Sequence, residues 1–118
     1  MSKNYLSRND ELRKGDYLMS ENGNYKAVFQ GDGNFVVYAW SPIWATNTHG
    51  KNPYKILLQQ DGNLVMYPKH GEAIWSTGTY SNQSCCRMRL TLNNDGQLVL
   101  ERDGKTIWNT ADSKGSKK

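Results

Sequence analysis

The chain has no long apolar run. No stretch approaches the roughly 20 consecutive apolar residues of a membrane-spanning helix, and the opening Met1-Ser2-Lys3-Asn4-Tyr5 is polar. Neither membrane insertion nor a signal peptide is expected. Cysteine is scarce too: the only 2 in 118 residues are the neighbours Cys85 and Cys86. Adjacent residues on a strand point to opposite faces, and a bond between them would demand unusual backbone geometry. That leaves two free thiols, or one exposed thiol bridging to a second chain. His49 and His70 lie far from both, and no CxxC or HxxxH spacing occurs, so no metal and no cofactor is expected. Concentrated charge is missing as well. Half of the net +4 comes from the tail Asp112-Ser113-Lys114-Gly115-Ser116-Lys117-Lys118, and the other basic residues are scattered. A nucleic-acid groove would gather Lys and Arg on one element with aromatics between them, so a nucleic-acid partner is excluded. No nucleophile sits beside a base and no pair of carboxylates recurs, which leaves an enzyme without candidate catalytic residues.

What the sequence does have is a repeat. Gln30-Gly31-Asp32-Gly33-Asn34-Phe35-Val36-Val37-Tyr38 returns as Gln59-Gln60-Asp61-Gly62-Asn63-Leu64-Val65-Met66-Tyr67. It returns again, altered, as Asn93-Asn94-Asp95-Gly96-Gln97-Leu98-Val99-Leu100-Glu101. A basic residue and a mostly apolar run precede each copy: Lys26-Ala27-Val28-Phe29, Lys55-Ile56-Leu57-Leu58 and Arg89-Leu90-Thr91-Leu92. Ile43-Trp44-Ala45-Thr46, Ile74-Trp75-Ser76-Thr77 and Ile107-Trp108-Asn109-Thr110 follow. The Asp-Gly pair recurs after 29 and then 34 residues, the span of one supersecondary unit arranged about an axis.

Each unit reads as strand, turn, strand, loop, strand. With 36% hydrophobic residues and 11 glycines, the chain is expected to be all-β and a single domain over residues 1–111, with 112–118 a disordered basic tail. Residues 4–25 are expected to supply two short strands completing the first unit, with Asn22-Gly23 as a tight hairpin turn. Trp44, Trp75 and Trp108 hold one equivalent place per unit and are expected to fill the core where the units meet. Trp40 has no counterpart, and partial burial in a loop is expected of it. Asn82-Gln83-Ser84 matches the N-glycosylation acceptor pattern, which matters only on a secretory route.

Period-2 alternation separates Phe35 and Val37 from Asn34, Val36 and Tyr38, and Leu64 and Met66 from Asn63, Val65 and Tyr67. The second set is the same in both copies, with Gln30 or Gln59 across the hairpin. Aspartate contributes acceptors, the amides donate and accept, and the phenol does either. Vicinal sugar hydroxyls need that mixture, and the valine adds a small apolar patch for the C–H face of a pyranose.

These copies resemble the Q-x-D-x-N-x-V-x-Y signature of the bulb-type (monocot mannose-binding, B-type) lectins, a family that also includes lectins of fish skin mucus. The resemblance runs from about Asn4 to Ala111. It implies a β-prism II fold, three four-stranded sheets about a pseudo-threefold axis, with mannose bound without calcium. Carried over, Asp32 and Asn34 would hold the sugar O2, Gln30 its O3 and Tyr38 its O4, with Val36 against the ring. Asp61, Asn63, Gln59, Tyr67 and Val65 would repeat those roles. In the third copy Asn93, Gln97 and Glu101 depart from the signature and only Asp95 and Val99 keep it, so a weak or silent site is expected. A carboxylate there must be desolvated to meet a neutral hydroxyl. Plant members carry a disulfide whose places here are Gly33 and a residue near Tyr54, so this chain must fold without it.

About four hydrogen bonds at roughly 0.5–1.5 kcal/mol each, plus a small apolar contact, barely exceed an association cost of at least about 4 kcal/mol, so each site is expected to bind a single mannose no better than at millimolar level. Multivalency, including the homodimer that the resemblance implies through exchange of the strand carrying Ile107 and Trp108, can add roughly 10²–10⁴. The resemblance implies an extracellular protein of mucosal defence, with a cytoplasmic location as the alternative. The competing reading is a protein-binding module on the same fold, an inhibitor or toxin-like ligand, using the loops near Trp40 or Lys69-His70-Gly71.

Overall fold

The computed structural model describes residues 3–81 and 87–117. Asn82, Cys85 and Cys86, on which the glycosylation and thiol expectations rest, lie outside the described residues. The lead-in holds three strands rather than two: β1 (Tyr5–Ser7), β2 (Glu11–Arg13) and β3 (Tyr17–Met19). The first copy forms β4 (Lys26–Phe29), β5 (Phe35–Tyr38) and β6 (Pro42–Ala45), and the second forms β7 (Lys55–Leu58), β8 (Leu64–Tyr67) and β9 (Trp75–Ser76). The third forms β10 (Met88–Leu92), β11 (Leu98–Arg102) and β12 (Lys105–Asn109).

Each copy makes its own antiparallel sheet, and the lead-in strands divide among them. β3 pairs with β4, β2 with β7 and β1 with β10. The expectation that the lead-in completes only the first unit is therefore corrected. A three-strand unit leaves the outer edge of its first strand unpaired, and each edge takes one short segment, which satisfies its backbone groups. Residues 5–19 thus stitch the three sheets together.

In every copy the inward row ends on tryptophan: Ala27, Val37 and Trp44; Ile56, Met66 and Trp75; Leu90, Leu100 and Trp108. The three indoles meet edge to face, with centroids 6.2, 5.9 and 6.1 Å apart, the arrangement that ring quadrupoles favour. All three are buried, as expected.

The segment expected as a tail contributes a strand and two carbonyl contacts. Ser116–Lys117 form β13, which pairs with β9 and gives that sheet a fifth strand. The carbonyls of Ser113 and Lys114 accept the indole N–H groups of Trp44 and Trp75 at 3.0 and 2.7 Å. A composition of Ser, Gly and Lys reads as tail, but those two buried donors need acceptors and the backbone supplies them. Trp40 is also corrected: its side chain is fully exposed. Ala39 N–H bonds the Ser41 carbonyl, and this tight turn between β5 and β6 throws the ring away from the core. Gly33, at φ +92°, packs so closely on Pro53 that a Cβ would lie 2.6 Å from the proline ring. Gly33 and Pro53, the neighbour of Tyr54, therefore lie together where the resemblance implies a missing cystine.

Candidate functional site

Each site is built on a hairpin whose inner face is core. Phe35 and Val37 are fully buried, as are Leu64 and Met66, so alternation turns the side chains between them to the outer face. There Tyr38 donates its hydroxyl to Gln30 Oε1. Gln30 Nε2 in turn donates to both carboxylate oxygens of Asp32, at 3.1 and 3.2 Å, and the backbone N–H of Asn34 donates to Asp32 Oδ1 at 3.0 Å. These bonds, first the Asn34 N–H and then the Gln30 amide, together with the nearby His49, hold the Asp32 carboxyl below its usual pKa.

The second copy repeats the network. Tyr67 donates to Gln59 Oε1, Gln59 Nε2 to Asp61 at 3.1 and 3.3 Å, and Asn63 N–H to Asp61 Oδ1 at 3.0 Å. Val36 and Val65 lie on the same face but are only 3% and 2% exposed. They form a closed floor, and the apolar surface beside them belongs to the half-buried Val28 and Leu57, their direct cross-strand partners.

Four threonines to which the sequence assigned no site role hold the asparagines. Thr46 Oγ1 donates to Asn34 Oδ1 at 3.1 Å and Thr48 N–H to the same oxygen at 3.3 Å. Thr77 Oγ1 and Thr79 N–H do this for Asn63, each at 3.1 Å. Thr48 and Thr79 also donate their hydroxyls to the carbonyls of Gly33 and Gly62 at 2.7 and 2.8 Å. With its oxygen occupied, each asparagine aims its NH₂ outward as a donor. The signal was in the sequence: Thr-x-Thr follows Ile-Trp-[Ala/Ser] in both intact copies, at Thr46-Asn47-Thr48 and Thr77-Gly78-Thr79.

The third copy keeps Thr110, which accepts the Leu98 N–H at 3.1 Å, but has Asp112 in place of the second threonine. Its shorter Asn93 turns back on its own loop and accepts the N–H groups of Asp95 and Gln97 at 2.9 and 3.0 Å. The amide is thereby spent on the turn, where a glutamine would bridge phenol and carboxylate. Glu101 replaces the phenol directly opposite Arg89. Asn93, Asp95, Gln97, Val99 and Glu101 share one hairpin but not the network of the other two.

The arrangement offers a row of directed groups: an open asparagine donor, carboxylate acceptor positions, and a phenol whose proton is already committed. It presents no nucleophile with a base. Among the described residues no group of three His, Cys, Asp or Glu side chains gathers.

No family model matches the chain. The B-type lectin plumieribetin of Scorpaena plumieri is 54% identical over 114 residues, which cover 97% of this chain and 100% of that one. Among solved structures, the Marasmius oreades lectin superposes with a TM-score of 0.83 at 30% identity, covering 92% of this chain and 90% of its own. The mannose-specific agglutinin of snowdrop, Galanthus nivalis, complexed with methyl-α-D-mannoside, superposes at 0.76 with 32% identity over 94% of this chain and 98% of its own. The fold is the β-prism II of these lectins, and the chain belongs to the B-type, or bulb-type, lectin family.

Proposed function

We propose that the chain is a calcium-independent mannose-binding lectin with two working sites, one built by Gln30, Asp32, Asn34 and Tyr38 and the other by Gln59, Asp61, Asn63 and Tyr67. The observation that carries this is the repetition of one polar network, bond for bond, on two separate sheets whose cores differ in sequence. Packing alone does not require Gln, Asp, Asn and Tyr on a solvent-facing hairpin twice. The mannoside-bound snowdrop agglutinin supports mannose as the sugar. The third copy is silent, because its amide is consumed by its own turn.

Single-site affinity is weak, millimolar at best, so function rests on valency: mannose-rich glycans bridged by two sites per chain, doubled in a homodimer. The setting is extracellular, in defence against mannose-coated surfaces, and the chain binds without turnover. The test is retention on a mannose resin in the presence of a chelator, with loss of retention in the double variant Asp32→Ala, Asp61→Ala. Retention by the double variant, or loss on chelation alone, overturns the reading. Full exposure of Trp40 favours one rival, a protein-binding module; capture of a protein partner unaffected by free mannose would support it instead.

A further inference from the structure

The two intact sites differ at one place beside the polar row. In each, the loop after the Thr-x-Thr segment is fastened to the site turn by two backbone donors with a single residue between them. In the first site these are Thr48 N–H to Asn34 Oδ1 at 3.3 Å and Gly50 N–H to the Asp32 carbonyl at 3.0 Å, with His49 between. In the second they are Thr79 N–H to Asn63 Oδ1 at 3.1 Å and Ser81 N–H to the Asp61 carbonyl at 2.8 Å, with Tyr80 between. The intervening backbone is thus fixed against the asparagine and aspartate of its site. Tyr80 is 68% exposed, and among the described residues it makes no hydrogen bond or ring contact. An exposed aromatic ring without a hydrogen bond or ring contact among the described residues, on backbone pinned at both sides to the polar row, is a surface for an apolar ligand face. A second sugar presents such a face.

We propose that Tyr80 is a second-ring subsite: it stacks on the hexose linked to the one held by Asp61 and Asn63, so the second site prefers mannose disaccharides while the first takes single rings. This rests on the mannose-binding reading above. His49 presents a smaller and more polar ring at the corresponding place, and in the third copy the corresponding residue is Ser113, whose carbonyl is committed to the Trp44 indole. A second ring thus gains apolar contact at one site of three.

The test isolates each site and compares two ligand sizes. In an Asp32→Ala background, affinities for methyl α-mannoside and for α1-2-, α1-3- and α1-6-linked mannobiosides are measured by titration calorimetry, with and without Tyr80→Ala. At least one mannobioside is expected to bind more tightly than the monosaccharide, and Tyr80→Ala is expected to lower that ratio about five- to tenfold, the scale of burying part of one ring face. In an Asp61→Ala background, His49→Tyr is expected to raise the same ratio at the first site. Ratios unchanged in both backgrounds for all three linkages, or an equal loss for both ligand sizes, overturn the subsite but leave the primary site standing. Absence of any mannoside binding to the unaltered protein overturns both.

Discussion

The indole N–H of Trp75 donates to the carbonyl of Lys114 at 2.7 Å, joining the centre of the prism to a segment seven residues long. Trp44 makes the same kind of bond to Ser113, whereas the buried Trp108 Nε1 has no partner among the described residues. Deleting residues 113–118 should therefore orphan two buried donors at a cost of about 1–3 kcal/mol each, seen as a lower urea midpoint and melting temperature. Gly115→Ala should also destabilise, since at φ +72° its Cβ would sit 2.4 Å from the Trp75 ring. Unchanged melting in both variants would show that the segment does not seal the core.

Thr77→Val conserves shape but removes a hydroxyl that accepts the Leu64 N–H at 3.2 Å and donates to Asn63. A buried N–H is left unpaired, so stability should fall by about 1–3 kcal/mol. Mannose affinity at the second site should fall too, because Asn63 keeps only one of its two positioning donors. Denaturation and titration in the Asp32→Ala background measure the two effects separately; a stable variant of unaltered affinity would remove the threonine from this role.

Asp32 is held below its ordinary pKa by the Asn34 N–H first and Gln30 second. For a carboxylate depressed in the folded state, the stabilisation is present above the unfolded pKa and is lost as pH falls through the folded one. Mannose binding at the first site, read in Asp61→Ala, should accordingly stay flat from neutrality down to about pH 4 and decline only below the usual carboxylate value of about 3.9. Gln30→Ala should move the Asp32 midpoint upward in a carboxyl-detected NMR titration. A wild-type midpoint above the usual value would refute the assigned contacts.

Repair of the third copy discriminates between its defects. Asn93→Gln, Gln97→Asn and Glu101→Tyr restore the signature, but Asp112 still stands where Thr48 and Thr79 tie down their turns. Binding stoichiometry should rise from two toward three only when Asp112→Thr is added. A full third site from the three signature changes alone would mean the second threonine is dispensable.

The repeat, its alternation and its turn glycines were legible from residue order because they are local. A Gly33 at φ +92° after Asp32, with Phe35 and Val37 inward and Asn34 and Tyr38 outward, follows from chain geometry alone. Trp44, Trp75 and Trp108 could be placed in the core because one large ring per repeat must meet its equivalents at an axis. The unequal third copy could likewise be read from Asn93, Gln97 and Glu101. Long-range pairing was not legible. Tyr5–Ser7, Glu11–Arg13 and Tyr17–Met19 have no mark assigning them to three different sheets, since a three-residue strand carries too little pattern to name its partner. Nor does the composition of residues 113–117 reveal that two indoles need its carbonyls. Sequence by itself determined which groups each hairpin presents, through the two-residue period of a strand. Only the folded chain decided which distant segments close the sheet edges and which loop residue, His49 or Tyr80, stands beside each polar row, because unpaired backbone donors and acceptors are satisfied in three dimensions and not along the chain.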